Sequence, residues 1–361
     1  MSIITHIMFK TKGAIMDVIN LEERAIENWE FFIKITGVKV KVKVVGIGDA
    51  GCNMLDNMIK YMDRKSLNIM QPVGINTDLI NLIRSGIPER RLLGESLRSE
   101  ISKKTLHMNG TEMKLEVGKE AAMEISYEEI KETLAGSDVV FIVAGFGGGT
   151  GTGASSVVAK AAKEIKALTV SIVTKPFEWE GQKRMETANL GLEELKKYSD
   201  TVIVIKNDRA RESFSFNSTP FALGLVDTIV CRIVQTVQTL MTNRDTVELE
   251  DLKTIMQYRG IGLIGIAQGN RKDEAREIIE NAIKSPLFDG ASIKNAKGIM
   301  IHWRINSNTS PCGITEVMGN INEIIGTNAK TIFKLTNDNT LAVEEVRVTI
   351  IATGFESLEN E

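Results

Sequence analysis

Ala144-Gly145-Phe146-Gly147-Gly148-Gly149-Thr150-Gly151-Thr152-Gly153 is the run that decides how this chain folds. Residues 138–144 ahead of it are almost wholly apolar, the pattern of a strand buried on both faces. Residues 153–166 behind it read as a helix. Glycine admits positive φ and has no Cβ, so a strand–glycine–helix unit crowds backbone N–H groups around one point. The helix start adds unpaired donors and the positive end of its dipole. Thr150 and Thr152 add hydroxyls. The run therefore reads as a phosphate cradle. A flexible linker has no reason to lie between a buried strand and a helix, and with no GK[ST] the run is not a Walker A loop.

Upstream, Gly46-Ile47-Gly48-Asp49-Ala50-Gly51 follows a strand pattern at 38–45, where Val and Lys alternate before a short apolar end, and precedes a helix from about Cys52. Alone, GxGxxG is a weak dinucleotide fingerprint. A nicotinamide enzyme needs one such loop and a domain for hydride chemistry, and nothing in the chain supplies the latter. Two glycine loops on neighbouring strands suit a nucleoside triphosphate lying across the strand ends.

Outward from these loops, strands at 72–76, 168–174 and 201–205 alternate with helices at 127–134 and 181–197. Strands apolar along their length and alternating with helices predict an α/β fold with a parallel sheet covered on both faces. The charged segment 77–126 reads as short helices and loops. From 220 to about 242 apolar residues continue nearly all round (Leu223, Val226, Ile229, Val230, Ile233, Val234, Val237, Leu240). That predicts a long buried helix running between two domains. The remainder to 356 reads as a smaller α+β domain with helices at 273–284 and 314–325 and strands at 261–267, 298–304, 331–335 and 345–352. Residues 14–35 form an amphipathic helical pattern. The expected division is an N-terminal extension 1–37, a nucleotide-binding domain 38–219, a central helix with its following loop 220–245, a C-terminal domain 246–356 and a short tail 357–361.

Net charge is −3 with both signs interspersed, so neither a nucleic-acid face nor a polybasic membrane patch is expected. Cys52, Cys231 and Cys312 lie far apart, and with three histidines no zinc constellation can be assembled. A reduced, cytoplasmic protein without a disulfide framework is expected. The N-terminus lacks the charge-then-apolar order of a signal peptide, and no apolar window is long enough to span a bilayer.

The GGGTGTG run in its strand-to-helix position resembles the signature of the tubulin/FtsZ superfamily, on the FtsZ side. Val44-Val45-Gly46-Ile47-Gly48-Asp49-Ala50-Gly51-Cys52-Asn53 resembles that family's first nucleotide loop. Further matches follow in order: Ile75-Asn76-Thr77-Asp78, then Glu116-Val117-Gly118-Lys119-Glu120, then Lys175-Pro176-Phe177-Glu178-Trp179-Glu180-Gly181, Ile205-Lys206-Asn207-Asp208, and finally Val346-Arg347-Val348-Thr349. The resemblance spans about residues 39–356. It implies a GTP-binding, GTP-hydrolysing cytoskeletal protein of cell division or cell shape that polymerises head to tail. It implies GTP or GDP as ligand, with Mg2+ accompanying GTP. The nucleotide contacts it implies are Gly48, Asp49, Ala50 and Asn53; Gly145, Gly147, Gly148, Gly149, Thr150, Gly151 and Thr152; Glu180 and Arg184 on the ribose side; Asn207 reading guanine; and Phe221 stacking on the base. Without the resemblance, Glu180 and Arg184 are equally an i,i+4 surface pair.

In this family a loop after the central helix carries acids into the next subunit's pocket to polarise the attacking water. Aligned on Asp251-Leu252-Lys253-Thr254-Ile255-Met256, those acids are Glu248 and Asp251; a second register uses Asn243, Asp245 and Glu248. The chain departs from the pattern at Thr246, at Leu225 where a guanine-reading acid or amide is usual, and at His107-Met108-Asn109 where small residues are usual. The family's flexible C-terminal linker and terminal peptide are expected to be absent, since the sequence stops at Glu361 just after its last strand pattern. These departures motivate an alternative expectation, a nucleotide-dependent structural or regulatory paralogue with little hydrolysis. The 14–35 helix is an expected element for self-assembly or for an accessory protein.

Overall fold

In a computed structural model the described residues are 40–61, 69–93, 115–123, 126–213, 219–242, 249–270, 275–326 and 329–356. The 14–35 helix and the residues 107–109, 243–248 and 357–361 lie outside them.

Ten strands form one sheet in the order β3-β2-β1-β4-β5-β6-β7-β10-β8-β9. They are β1 Val42–Ile47, β2 Met70–Asn76, β3 Glu89–Leu92, β4 Val139–Gly145, β5 Leu168–Lys175, β6 Thr201–Lys206, β7 Ile261–Asn270, β8 Gly298–Ile305, β9 Lys330–Asn337 and β10 Glu345–Phe355. Pairing is parallel from β3 through to β7, and again between β8 and β9. β10 is antiparallel to both of its neighbours, β7 and β8. Nine of these strands therefore run in one direction, and the sheet has one carboxyl edge and one amino edge. The strands of the expected C-terminal portion continue the same sheet through two residue pairs, Val202↔Ile261 and Ile203↔Gly262.

Helices cover both faces. On one lie α1 Gly48–Tyr61, α2 Leu79–Arg84, α7 Asn207–Glu212, α8 Thr219–Thr242 and α9 Leu249–Met256. On the other lie α3 Leu115–Met123, α4 Tyr127–Leu134, α5 Gly149–Glu164, α6 Gln182–Lys196, α10 Ala275–Ile283, α11 Cys312–Gly319 and α12 Ile321–Ile325. Alternate residues feed the two cores: Val42 and Val44 go to one, Val45 and Ile47 to the other. α8 buries Val226, Ile229, Val230, Ile233, Val234 and Val237, a helical repeat worth roughly 2 kcal/mol per side chain.

Three local expectations needed correction. Residues 77–126 hold a strand, β3, as well as helices. Its Glu89-Arg90-Arg91 sequence conceals it, because an outermost strand meets solvent and carries charge. The helix expected at 314–325 is two, α11 and α12, broken at Asn320 (φ −114°, ψ 19°). Both glycine loops also belong to their helices. α1 begins at Gly48 and α5 at Gly149, four residues earlier than apolar periodicity suggests in each case, because the periodicity cannot register a first turn made of glycine.

His302 of β8 is buried against α8. Its Nδ1 is 3.2 Å from Thr236 Oγ1 and its Nε2 2.8 Å from Thr336 Oγ1. Burial, reinforced by Arg304 and Lys334 and opposed by Asp338, pushes the imidazole down to about 3. The unfolded chain binds this proton at its ordinary value of 6.5 while the folded chain does not. Stability from this group is thus complete above about pH 6.5 and is lost as pH falls toward about 3. Acidification to about pH 5 is expected to cost about 2 kcal/mol through this residue alone. Urea titrations of wild type and His302→Gln across that range should differ in slope, and equal slopes would remove His302 as the cause.

Candidate functional site

At the carboxyl edge, the ends of β1 and β4 meet. Gly48 has φ +70°, and a Cβ there would lie 2.9 Å from the Gly151 nitrogen. A Cβ on Gly151 would lie 2.5 Å from the Gly145 carbonyl oxygen. The two glycine loops are thus interlocked backbone to backbone, and no side chain fits between them. Gly147 (φ +102°) turns the chain beneath Pro176 and against Arg184. Its N–H donates to Thr152 Oγ1 (2.9 Å), so that hydroxyl braces the loop from below. Gly148 differs from these: among the described residues, its chain neighbours aside, nothing lies within 4 Å of where its Cβ would be. It immediately precedes α5, whose first N–H groups belong to Gly149, Thr150 and Gly151. Open space in front of orphan helix donors is the geometry an anion requires.

Side chains brace the loops further. Thr77 and Thr150 hydroxyls are 2.7 Å apart and buried, and Asn76 Nδ2 donates to Asp49 Oδ1 (2.8 Å). The loop after β2 therefore holds both phosphate loops at once. Sequence reasoning marked 75–78 as a motif but gave neither Asn76 nor Thr77 this role, since their partners are remote in sequence. Gly118 of α3 and Gly191 of α6 were missed too; Cβ atoms there would strike the Gly149 carbonyl oxygen (2.4 Å) and Thr152 Cγ2 (2.1 Å). Beneath the first loop, burial pushes the Cys52 thiol up to about 12.

The remaining candidate residues fall along the same edge. Glu180 and Arg184 pair with each other at 2.5 Å, and Glu180 Oε1 accepts from the Phe177 N–H (2.9 Å). The i,i+4 pair is real, and it lies beside Gly147. Asn207 begins α7 directly after β6; it is 6% exposed and its side-chain oxygen Oδ1 has no hydrogen-bond partner among the described residues. A buried amide left unpaired at a strand end is costly unless something donates to it. The Watson–Crick edge of guanine, with its N–H groups, is such a donor. Nearby, burial and then Lys206 hold the Lys175 ammonium below its ordinary value. Asn53 and Ala50 are exposed on α1. Phe221 lies in the first turn of α8, and its side chain is outside the described residues.

Asp251 lies elsewhere. It opens α9 and pairs with Lys330 at 2.9 Å, where Lys330 is the first residue of β9. That is the amino edge of the sheet, the opposite end from the glycine loops, and on the strand farthest from β1 and β4 on that side. Glu248, the other expected acid, is outside the described residues. Among the described residues there is no cluster of three His, Cys, Asp or Glu able to hold a metal, and no helix long and apolar enough to cross a membrane.

Comparison with known proteins agrees with this geometry. The model of the Tubulin/FtsZ family GTPase domain matches residues 41–215, and that of the FtsZ family C-terminal domain matches residues 260–356. The chain is 34% identical over 323 residues to a cell division protein FtsZ of Helicobacter pylori, covering 89% of this chain and 81% of that protein. To cell division protein FtsZ 1 of Methanocaldococcus jannaschii it is 34% identical over 348 residues, 96% and 92% of the two chains. A solved structure described as an empty FtsZ dimer of M. jannaschii superposes with a TM-score of 0.78, covering 91% and 92% of the two chains at 34% identity. Two interlocked glycine loops, an unpaired amide at the next strand end and matches along nearly the whole length converge on one conclusion: the chain belongs to the FtsZ family, within the tubulin/FtsZ GTPases.

Proposed function

We propose that this protein binds GTP along the carboxyl edge and hydrolyses it after head-to-tail assembly with further copies of itself, as a cytoskeletal filament of cell division or cell shape. In this reading the N–H groups after Gly148 take the phosphates. Gly48, Asp49, Ala50 and Asn53 close over them from α1. Glu180 and Arg184 flank the ribose, Asn207 reads guanine, and Phe221 stacks on the base. Mg2+ accompanies the triphosphate and offsets its charge. The acids that act on the attacking water, Asp251 and Glu248, come from the amino edge of the next copy.

The observation that carries this reading is the placement of Asp251 at one sheet edge and the glycine loops at the other. A chain so built cannot bring its own Asp251 to its own phosphates, whereas stacked copies bring the two edges together. Phosphoryl transfer depends on positioning and charge, so a pocket lacking those acids holds nucleotide but turns it over slowly. The residues 14–35 are the proposed element for an accessory contact.

The test is GTP turnover per molecule against protein concentration, after extraction of bound nucleotide from the purified protein. Guanine nucleotide should be recovered, and turnover should climb with concentration and then level off. Turnover independent of concentration defeats the shared pocket, and protein with no affinity for purine triphosphates defeats the site. GTP bound tightly with negligible phosphate release in assembled protein would instead favour the structural paralogue.

A further inference from the structure

Away from the nucleotide edge, α8 lies across one face of β7, β10, β8 and β9. Low on that face the contacts are apolar: Ile264, Ile351 and Met300 pack against Val234 and Val237 in one core. Higher up the same alternation brings Arg347 of β10 and Arg304 of β8 onto this face. These two arginines are directly opposite each other in the antiparallel register. Like charges in that position repel and destabilise a sheet. Arg232 of α8 faces them.

Each strand arginine has one acid. Arg347 pairs with Glu345 at 2.5 Å and Arg304 with Asp338 at 3.5 Å. Arg232 has neither an ion pair nor a side-chain hydrogen bond among the described residues. The Nε of Arg347 and the Oε1 of Glu345 are both buried and make no hydrogen bond among the described residues, so their ion pair is close without being aligned. Three guanidiniums thus share two carboxylates, and the one without a carboxylate is on the helix. Burial, followed by repulsion from Arg347 and Arg304, lowers Arg232 to about 10. A partly buried cation with neighbours of its own sign and open donors is energetically unbalanced.

We propose that the partly exposed end of this contact between α8 and the sheet is a phosphate-binding site, with Arg232, Arg304 and Arg347 as its ligands. Guanidinium forks match the oxygens of phosphate in bidentate fashion. A dianion supplies charge to three forks, whereas a single carboxylate matches one. The bound anion replaces repulsion between α8 and the sheet with mutual attraction to a shared partner. The site is separate from the glycine loops, which use backbone N–H groups at the edge of β1 and β4.

Isothermal titration of inorganic phosphate into protein saturated with GDP tests this, with potassium chloride matched for ionic strength as the control. Saturable binding is expected in wild type, weaker by about tenfold in Arg232→Gln and intermediate in Arg232→Lys. Arg232 has no protein partner to strand, so its replacement leaves the fold intact, and circular dichroism verifies that. A second readout separates ligand from scaffold. In phosphate-free buffer Arg232→Gln should melt no lower than wild type, because it relieves repulsion, while a given phosphate concentration should raise Tm more in wild type than in the variant. Phosphate heats no larger than those of chloride would overturn the site. So would unchanged affinity in Arg232→Gln, or a lower phosphate-free Tm in that variant. If an organic phosphate ester binds much more tightly than orthophosphate, the physiological ligand is the ester; equal affinity assigns the free ion.

Discussion

Alanine at Gly148 is expected to weaken GDP and GTP binding by about a hundredfold while leaving the fold unchanged. The backbone there has φ −95° and ψ 174°, which any residue adopts. Among the described residues, chain neighbours aside, no atom lies within 4 Å of the new methyl. Alanine caps a helix less well than glycine by several tenths of a kcal/mol, and it removes a similar amount of unfolded-chain freedom. These effects nearly cancel, so Tm without nucleotide should stay within a few degrees. What the methyl does occupy is the space the phosphates need. Overpacking of that kind costs roughly 3 kcal/mol, or about two decades in Kd. Gly51→Ala is the contrasting control: its Cβ would meet the Val143 carbonyl oxygen at 2.3 Å, so it should damage the fold itself. Undiminished GDP affinity in Gly148→Ala, measured by fluorescence competition, would show that the phosphates lie elsewhere.

Asp251→Ala should reduce GTP turnover by roughly two to three orders of magnitude, the usual cost of removing one group that acts only in the transition state. Nucleotide affinity should not move, because Asp251 is at the amino edge. Stability should change by less than about 1 kcal/mol, since the ion pair with Lys330 is half exposed. A mixing experiment is more demanding. At a GTP concentration well below their weakened Kd, Gly148→Ala copies are mostly empty but carry Asp251, and Asp251→Ala copies hold nucleotide but lack the acid. Each alone should be nearly inactive, and together they should regain turnover that rises with concentration. Folded variants that fail to complement would defeat the shared-pocket reading. Full activity in Asp251→Ala would transfer the role to Glu248 or to the Asn243–Asp245 register.

The phosphate loops were legible in the sequence because glycine is informative: few structural contexts need so many in a row. The strand–helix alternation was legible for the same reason that the sheet is buried, its strands being apolar through their length. β3 was not, because Glu89, Arg90 and Arg91 serve solvent rather than a core. The break at Asn320 was hidden inside continuous apolar spacing. Least legible were the braces. Thr77 and Thr150 are ordinary residues until β2 and α5 are brought side by side, and nothing in Arg232, Arg304 or Arg347 taken singly foretells that they meet. Local pattern gives elements and loops, while contacts across the sheet come only with the topology. The joining of β6 to β7 into one sheet is another such contact.

β10 is the last strand in the chain, yet it lies between β7 and β8. Order of synthesis and order of assembly therefore part company here. While a ribosome is still making the chain, β1 to β7 can associate as they emerge, but β8 and β9 have no neighbour to join them to the rest. Only when 345–355 clears the exit tunnel does the wedge arrive that welds the two pieces. A translation product cut short just ahead of that strand would keep both glycine loops and lose the platform on which α8 rests.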